Sequence, residues 1–285
     1  MTEAMFYEKA ENSCARCLLC PHRCLVRPDG AGLCGAREND GGALRSRNYG
    51  RISSIALDPI EKKPLRRFYP GSLILSVGSF GCNLSCPFCQ NHAIAQERPA
   101  TRAAGSAELI GRALALVPRG NIGIAYTYNE PTVWYEFVLE TARLAHDSGL
   151  KNVMVTNGYI NPEPLAALLP HIDAMNIDLK GGADFYARLC GGREDAVKDA
   201  IRMASAACHV EVTTLLVTGH NDTVAAVEGV ARWIGGISPD IPLHVTRFFP
   251  AHKMRDCEPT PAEFVFEAAR AAMRHLKYAY PGNVG

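Results

Sequence analysis

Short apolar runs alternate with amphipathic segments along most of this chain. Six runs of strand length occur at residues 73–79, 121–126, 151–156, 173–178, 209–217 and 242–248. Segments with a helical spacing of apolar residues lie between and after them, near 106–117, 132–148, 162–169, 194–207, 221–234 and 261–276. Short apolar runs separated by helices are typical of buried parallel strands. The pattern therefore predicts an α/β fold with right-handed crossovers.

Six strand–helix units are two short of a closed barrel of eight. The alternation therefore predicts a partial (βα)6 barrel of the TIM type over residues 72–285. Ser106 is predicted to cap the first helix, and Pro162 to begin the third. Functional residues of such folds lie at the carboxyl ends of the strands, so the site is expected there.

The first 71 residues lack this alternation. Residues 1–50 contain five cysteines among several glycines, and no helical or strand period persists in them. A short loop-rich segment has little core and usually needs a staple, so we predict a cysteine-rich metal-binding module over 1–50. Residues 51–71 are predicted to be a connector onto the barrel, with a charged, solvated loop at 58–65.

Composition narrows the class of protein. The chain has 285 residues, a net charge of +1 and 47% hydrophobic residues, which is ample for a large core. The charge gives no indication of nucleic-acid or membrane binding. No run of about 18 apolar residues predicts a membrane span, and the N-terminus lacks the apolar core of a signal peptide. Eleven cysteines without an export signal favour the reducing cytoplasm, and metal chemistry over disulfides.

Three cysteines follow the first predicted strand directly, as Cys82-x3-Cys86-x2-Cys89. Three thiolates on one loop can bind three corners of a 4Fe–4S cluster, whereas protein-bound clusters normally have four cysteine ligands. One iron is then open to a small molecule. The alternatives are a zinc knuckle or stray buried thiols, and such close spacing argues against stray thiols.

A second set of cysteines lies in the N-terminal module. Cys17, Cys20 and Cys24 are spaced C-x2-C-x3-C, and Cys34 follows ten residues later. Four thiolates can close a tetrahedral zinc site or hold a second iron–sulfur cluster, and the spacing does not separate the two. Free thiols in a disordered extension are the third alternative. Cys14 is left as a spare thiol.

Polar residues at the ends of the second and third strands are candidates for ligand binding. Asn129 and Glu130 follow the second strand, where exposed carbonyls and an acceptor side chain suit an ammonium group. A helix cap with Pro131 in the first turn is the competing interpretation. Thr156 and Asn157 end the third strand in an Asn-Gly turn, and they suit a ribose.

The fourth and sixth strands and the cysteine loop supply the remaining candidates. Asp178 and Lys180 share one face; Lys180 suits a carboxylate, and a buried ion pair is the structural alternative. His244 is predicted to face the ligand at the end of the sixth strand, or else to be an ordinary satisfied polar group. Phe88 is predicted to place its backbone beside an adenine, or to pack in the core.

Together these features resemble the radical S-adenosylmethionine (radical SAM) superfamily, in which a C-x3-C-x2-C loop has an aromatic residue before its last cysteine. The chain is most similar to the pyruvate formate-lyase activating enzyme-like branch, and within it to the radical SAM protein of the AmmeMemoRadiSam system. The matching segments span nearly the whole chain, at residues 4–9, 17–24, 32–35, 58–65, 81–86, 128–132, 176–180 and 244–248.

The resemblance implies a role for each matched residue. In the family, SAM chelates the open iron of the cluster through its amino and carboxylate groups. One departure is that Tyr128-Asn129 replaces the Gly-Gly of the family's Gly-Gly-Glu motif, so the contacts with the SAM amino group are expected to differ from the family's. The implied roles are the cluster for Cys82, Cys86 and Cys89, the SAM amino group for Asn129 and Glu130, its carboxylate for Lys180 and His244, and a monovalent cation beside SAM for Thr156 and Asp178.

The resemblance also implies an activity. SAM is cleaved reductively to a 5′-deoxyadenosyl radical, which abstracts hydrogen from a small molecule or peptide. The alternatives are an activating enzyme that generates a glycyl radical on a partner enzyme, and a non-catalytic iron–sulfur or zinc electron relay. An electron relay does not bind SAM, so it would not need Lys180 and His244 at the strand ends. The implied partners are an electron donor such as flavodoxin or ferredoxin, and a glycyl radical enzyme or other AmmeMemoRadiSam components.

Overall fold

The N-terminal module is built from short strands. The structure, a computed structural model, describes residues 2–284. Six strands form two antiparallel three-stranded sheets, of order β1–β6–β5 and β2–β3–β4. The sequence predicted none of them, because strands of two to four residues are too short to show a two-residue period. Their bounds are β1 (Thr2–Glu3), β2 (Tyr7–Lys9), β3 (Ala15–Cys17), β4 (Leu25–Val26), β5 (Arg37–Asp40) and β6 (Ala43–Ser46).

An eight-stranded sheet forms the body of the protein. The later strands are β7 (Arg51–Ile52), β8 (Ser54–Pro59), β9 (Leu73–Gly78), β10 (Arg102–Ala103), β11 (Asn121–Tyr126), β12 (Lys151–Thr156), β13 (Ala174–Asp178), β14 (His209–Leu216), β15 (Leu243–Arg247) and β16 (Ala279–Gly282). The main sheet has the order β8–β9–β11–β12–β13–β14–β15–β16, while β7 and β10 pair separately. Neighbours from β9 to β16 are parallel, and β8 is antiparallel to β9. All six predicted strands are present, which confirms the α/β fold.

Helices return the chain between successive barrel strands. They are α1 (His92–Ala95), α2 (Ser106–Ala115), α3 (Tyr135–Asp147), α4 (Pro162–Leu168), α5 (Ala183–Phe185), α6 (Glu194–Ser205), α7 (Val224–Gly235) and α8 (Ala262–Ala272). Pro162 begins α4, as predicted. Ser106 begins α2 without capping it, because its hydroxyl accepts a hydrogen bond from Thr141 Oγ1 at 3.1 Å instead. Within residues 2–284, no helix has the length and apolar character needed to cross a bilayer.

The sheet is longer at both edges than the sequence indicated. β8 lies in the predicted connector, where a half-exposed edge strand shows no continuous apolar run. β16 follows α8 and contains Pro281 and Gly282, residues that are unfavourable inside a sheet and tolerated at its edge. Both missed strands are edge strands, which a search for buried runs does not find.

Part of the charged run at 58–65, which was predicted to be a solvated loop, packs against the barrel. Asp58 Oδ2 accepts hydrogen bonds from Lys63 Nζ at 2.8 Å and from the Tyr128 hydroxyl at 2.9 Å. The Lys63 side chain is only 4% exposed. The Pro64 carbonyl accepts from Asn176 Nδ2 at 2.9 Å. The charged run at 58–65 is therefore partly buried: Ile60, Lys63 and Leu65 are buried, whereas the Lys62 side chain is 68% exposed.

Candidate functional site

A cavity of about 390 Å³ opens at the carboxyl ends of the barrel strands. Lys62 and Pro64 of the connector and Asn283 after β16 contribute to its wall. The carboxyl ends of parallel strands meet at one edge, so residues distant in sequence were expected to gather there. His244 is the one barrel residue predicted at the site that does not line the cavity. The predicted residues that do line it are Cys82, Cys86, Phe88, Cys89, Asn129, Glu130, Thr156, Asn157, Asp178 and Lys180.

The cysteine loop is held on the barrel by Asn129. Its Oδ1 accepts from the Ser79 backbone N–H at 2.8 Å, and its Nδ2 donates to the Gly81 carbonyl at 3.1 Å. Gly81 has a φ of +94°, and a Cβ there would lie 2.6 Å from the Cys34 carbonyl oxygen, so glycine is required. The side chain of Asn129, predicted to meet an amino group, is thus committed to positioning the loop.

Two N–H donors point at the sulfur of Cys82. Asn157 Nδ2 lies 3.5 Å from the Sγ, and the Leu84 backbone N–H lies 3.4 Å from it. Burial raises the pKa of the Cys82 thiol well above its usual value, and the nearby Glu130 carboxylate raises it further. Deprotonation of Cys82 therefore depends on a bound cation and on these two donors, since the thiolate is the form that binds metal.

Cys190 lies beside Cys86, and the sequence did not indicate it. It ends a π-helical turn, Tyr186–Cys190, and its carbonyl accepts from the Ser85 backbone N–H at 2.9 Å. A hydrogen bond from the Cys190 thiol lowers the pKa of Cys86 despite its burial. Such π turns are frequent at functional sites. From sequence alone, a cysteine at a helix end cannot be told from an ordinary small core residue.

The buried Glu130 carboxylate ties two strand ends together. Its Oε1 accepts from Thr156 Oγ1 at 2.6 Å and from the Thr132 backbone N–H at 3.0 Å, and its Oε2 accepts from the Asn157 backbone N–H at 2.7 Å. Burial raises the pKa of Glu130 in spite of these donors. Glu130 thus caps the turn Pro131–Trp134, as the competing interpretation held, and fixes the loops after β11 and β12.

Asp178 and Lys180 form an ion pair on the cavity wall. The Lys180 Nζ is 2.6 Å from Asp178 Oδ2, and the two side chains are 14% and 33% exposed. Burial alone lowers the pKa of Lys180, but the Asp178 carboxylate and the Cys86 thiol raise it by more, so it lies well above its usual value. Lys180 is therefore a permanent cation in the cavity, with further N–H donors available to an anion.

His244 lies below the cavity and not at its rim. β15 spans only Leu243–Arg247, so His244 is near the amino end of the strand. Its Nε2 is 2.6 Å from Oε2 of the fully buried Glu211. Thr246, two residues further along the same face, lines the cavity in its place. The predicted position of His244 beside Lys180 was therefore wrong.

Phe88 faces the core with its side chain. The ring is 4% exposed, and its centroid lies 5.7 Å from that of Phe185. The Phe88 ring therefore packs in the core, as the alternative interpretation predicted. A contact between the Phe88 backbone and an adenine stays a prediction.

The four N-terminal cysteines predicted to bind metal lie in one module. The Cys17 backbone N–H donates to the Cys24 carbonyl at 2.9 Å, and Arg37 Nη1 lies 3.8 Å from Cys17 Sγ. Burial raises the pKa of Cys20 to about 12, and the neighbouring Cys17, Cys34 and Cys24 add to that. Within residues 2–284, no three His, Cys, Asp or Glu side chains are placed to hold a metal ion. Metal binding by these cysteines stays a prediction.

Comparison with known proteins decides the family. Residues 76–234, from β9 into α7, match the model of the Radical SAM superfamily. The chain belongs to the radical SAM superfamily. Membership implies a 4Fe–4S cluster and SAM. The cysteine loop fits this radical SAM cluster, because its three thiols line one cavity and Cys82 already receives two N–H donors.

Two proteins of Methanocaldococcus jannaschii are similar to this radical SAM chain. One, an uncharacterized protein, is 42% identical over the whole chain and 86% of its own length. The other is provisionally named a glycyl-radical enzyme activating enzyme. It is 30% identical over 129 residues, which cover 45% of this chain and 51% of that protein.

Solved structures share the radical SAM barrel. SuiB of Streptococcus suis, bound to S-adenosylmethionine, has a TM-score of 0.57 at 12% identity, over 71% of this chain and 48% of SuiB. A radical SAM methyltransferase from Sphaerobacter thermophilus has a TM-score of 0.57 at 18% identity, over 76% of this chain and 68% of that one. At these identities the likeness shows the fold alone.

Replacing Asn157 with alanine is expected to lower the reduction potential of the radical SAM cluster. Hydrogen bonds to ligand sulfurs help to set the reduction potential of a cluster. They stabilise the reduced cluster, which carries more negative charge, so removing one lowers the potential. A net bond worth about 0.5–1.5 kcal/mol corresponds to about 20–65 mV in a one-electron couple. A redox titration followed by electron paramagnetic resonance measures the shift. The matched control is Asn91→Ala, which removes a side-chain amide that donates to the Tyr128 carbonyl. Equal shifts in both variants would contradict the assignment.

Proposed function

We propose that this protein is a radical SAM enzyme in which Cys82, Cys86 and Cys89 bind the 4Fe–4S cluster and the adjoining cavity binds SAM. When bound, the two groups supply reductive cleavage of SAM to a 5′-deoxyadenosyl radical, which abstracts hydrogen from a small-molecule or peptide substrate. The observation that carries the proposal is the shared cavity, which the three thiols line together with the strand-end residues predicted for SAM. Its volume of about 390 Å³ is in the range of ligand pockets.

In this proposal the residues around the cavity bind SAM, orient it and shield it from water. Lys180 donates a hydrogen bond to the SAM carboxylate, and Asp178 holds the Lys180 ammonium group in place. The Glu130 carboxylate keeps the loops after β11 and β12 fixed, so that a bound ligand meets a preorganised wall. Lys62 and Pro64 of the connector form one side of the cavity wall, which limits the access of water to a reactive species. A monovalent cation near Thr156 and Asp178 is also part of the proposal.

Replacing Lys180 with methionine is expected to weaken SAM binding by about ten- to a hundredfold. A charge-assisted hydrogen bond is worth roughly 1.5–3 kcal/mol, and this range corresponds to that loss of affinity. The cluster should still assemble, because Lys180 is not a thiol ligand. Anaerobic titration of the reconstituted variant with SAM measures the affinity, and its absorbance reports the cluster.

A double variant separates direct binding by Lys180 from neutralisation of Asp178. If Lys180 acts only by neutralising the Asp178 carboxylate, then combining Asp178→Asn with Lys180→Met removes both charges and restores SAM binding. Under our proposal the double variant stays as weak as Lys180→Met. His244→Gln is the second control: because His244 lies below the cavity, it should leave SAM affinity unchanged.

The activity itself is tested by anaerobic reduction. The reconstituted protein is reduced with dithionite in the presence of SAM, and 5′-deoxyadenosine and methionine are measured. Both products are expected in equal amounts. A protein with a full cluster and bound SAM that forms neither would support an electron-relay role and overturn the proposal.

Generation of a glycyl radical on a partner enzyme is the second candidate function. It is supported by the similarity to the M. jannaschii protein provisionally named as an activating enzyme of that kind. The hydrogen would then come from a backbone Cα of the partner. A glycyl radical enzyme gene beside this one, and a glycyl radical signal when the two proteins are reduced with SAM, would favour this function over a small-molecule or peptide substrate.

The proposed partners follow from the chemistry. Radical SAM enzymes need an electron donor, and we propose a flavodoxin or ferredoxin in the cytoplasm for that role. The other AmmeMemoRadiSam components are proposed as partners on the resemblance of the N-terminal and cysteine-loop segments. Co-purification under anaerobic conditions tests both.

A further inference from the structure

The N-terminal module touches the cysteine loop of the barrel at two points. His22 Nε2 lies 2.7 Å from the carbonyl oxygen of Asn83, the residue after Cys82. On the other side, a Cβ added to Gly81 would lie 2.6 Å from the Cys34 carbonyl oxygen. The turns that carry His22 and Cys34 therefore flank the first thiol of the proposed cluster.

Exposed residues adjoin both contacts. Leu33 precedes Cys34 and is 74% exposed, the highest value among the large hydrophobic residues within 2–284. The position of a Gly32 Cβ lies 3.9 Å from Cys24 Sγ, so the Leu33 turn packs against the segment that follows His22. That segment exposes a second leucine and two arginines. The exposed side chains of the two turns thus form one surface beside the cysteine loop, which we call the Arg23–Leu33 patch: Arg23, Leu25, Arg27 and Leu33.

The position of the Arg23–Leu33 patch suits an electron carrier. Radical SAM enzymes need an electron donor, and the donor must bind where the cluster lies close to the surface. Electron-transfer complexes bury less surface than most protein complexes do, so a small patch is sufficient. Exposed leucines flanked by arginines fit a transient complex with an acidic carrier, because opposite charges steer the two proteins together.

The opposite flank of the cysteine loop has a less suitable surface. The Lys253 backbone N–H donates to the Pro87 carbonyl at 2.9 Å, so the loop 249–258 also lies beside the cysteines. Its two exposed cations are balanced by two exposed carboxylates, and its Phe249 is 38% exposed. Residues 23–33 instead carry two arginines against a single aspartate, and they expose two leucines more fully. Charge and apolar exposure therefore both favour the N-terminal side.

We propose that the Arg23–Leu33 patch is the docking surface for an acidic one-electron carrier protein of the flavodoxin kind. One electron leaves the reduced flavin of the carrier and enters the radical SAM cluster, and no atom is transferred. The arginines pair with carboxylates of the carrier, and the leucines pack against it. The N-terminal module thus presents the cysteine loop to its electron donor. The inference rests on the proposed SAM cleavage, because that reaction consumes the electron.

Binding of oxidised flavodoxin tests the surface without any turnover. The probe is a flavodoxin of negative net charge, titrated onto the reconstituted protein at low salt by isothermal titration calorimetry. Arg23→Glu combined with Arg27→Glu should raise its Kd about tenfold, or about 1.4 kcal/mol, because exposed ion pairs become contacts between like charges. The difference from the parent should shrink at about 1 M salt, where charges are screened over about 3 Å.

The other flank provides the matched control. Lys253→Glu combined with Arg255→Glu changes the net charge by the same amount beside the same cysteine loop, and it should keep the parental Kd. A parent that does not bind flavodoxin would overturn the docking surface. So would a Kd that the change at Arg23 and Arg27 leaves unaltered, or that the control raises as much.

The source of the electron separates docking from SAM cleavage. Reduced flavodoxin should reduce the cluster of the Arg23→Glu, Arg27→Glu protein about tenfold more slowly than that of the parent, as followed by absorbance. Dithionite needs no docking surface, so it should drive 5′-deoxyadenosine formation at the parental rate. Leu33→Ser removes apolar surface and no charge, so it should slow reduction by flavodoxin at low and at high salt alike.

Two outcomes of this experiment have different consequences. If the double glutamate variant loses the dithionite-driven reaction as well, the change acts on the site and the docking assignment is wrong. If the parent forms no 5′-deoxyadenosine with dithionite, the proposed SAM cleavage fails instead, and the flavodoxin titration still decides whether the Arg23–Leu33 patch binds the carrier.

Discussion

Replacing Cys82, Cys86 and Cys89 together with alanine is expected to abolish the radical SAM cluster and all 5′-deoxyadenosine formation. The three thiols line one cavity, and the loop supplies no other thiol. Without them iron is not held, so no electron reaches SAM. The measurement is the cluster absorbance and paramagnetic signal after anaerobic reconstitution, together with product analysis under dithionite.

Thiols outside the site provide the matched control. Cys208 and Cys257 are partly buried cysteines that do not line the cavity. Their joint replacement with alanine should leave the cluster signal and the activity unchanged. A cluster of full intensity with SAM-dependent cleavage in the triple alanine protein would refute the assignment of the loop. If the triple alanine protein retains iron but forms no product, that iron would be assigned to the N-terminal cysteines that the sequence predicts to bind metal.

Buried parallel strands could be predicted from sequence because both of their faces are apolar. A run such as 121–126, apolar from Ile122 to Tyr126, predicts a buried strand once helices are found on either side. The edge strands β8 and β16 were missed because an edge tolerates polar residues, proline and glycine. The partial burial of the charged run at 58–65 was missed for a related reason: Asp58 and the Pro64 carbonyl are hydrogen-bonded by Tyr128 and Asn176, which are distant in sequence.

The site could be predicted as a set of residues but not as a set of contacts. Strand ends converge by topology, so the gathering of Cys82 and Lys180 followed from the order of the elements. Whether a polar side chain faces a ligand or a neighbouring residue depends on how close it lies to the carboxyl end of its strand. The alternation of polar and apolar residues does not give that position. His244 was therefore placed two residues too far along β15. Asn129 and Glu130 were assigned to a ligand, although their side chains hold the loops that form the cavity.

Glu211 is the buried anchor beneath the cavity, and its replacement should have the largest effect on stability. Its carboxylate is fully buried and accepts from the backbone N–H groups of Arg66 and Arg67 at 3.0 and 2.7 Å. The rings of His209 and His244 lie 3.0 and 2.6 Å from its two oxygens. Glu211→Ala leaves all four groups without their partner, and breaking a buried pair in this way costs about 3–5 kcal/mol. Denaturant unfolding of the variant and the parent measures the loss.

The surface pair of Glu228 and Arg274 is the control for charge removal. Its N–O distance is 2.7 Å, but the Arg274 side chain is 70% exposed. Exposed pairs contribute about 0–1 kcal/mol, so Glu228→Ala should change the free energy of unfolding by no more than that. Equal losses in the Glu211 and Glu228 variants would contradict the anchoring role of Glu211.

The pH dependence of unfolding gives the same role an independent readout. Burial by itself raises the pKa of Glu211, but hydrogen bonds from His209, His244 and the Arg66 backbone outweigh it and lower the pKa to about 2. A carboxyl group with a depressed pKa stabilises the folded state above its ordinary pKa of 4.5 and loses that contribution as pH falls toward 2. The contribution is about 3 kcal/mol at neutral pH. Glu211→Gln cannot titrate, so the gap in unfolding free energy between parent and variant should shrink as pH falls from about 4.5 toward 2. A gap that stays constant over this range would show that folding does not lower the pKa of Glu211.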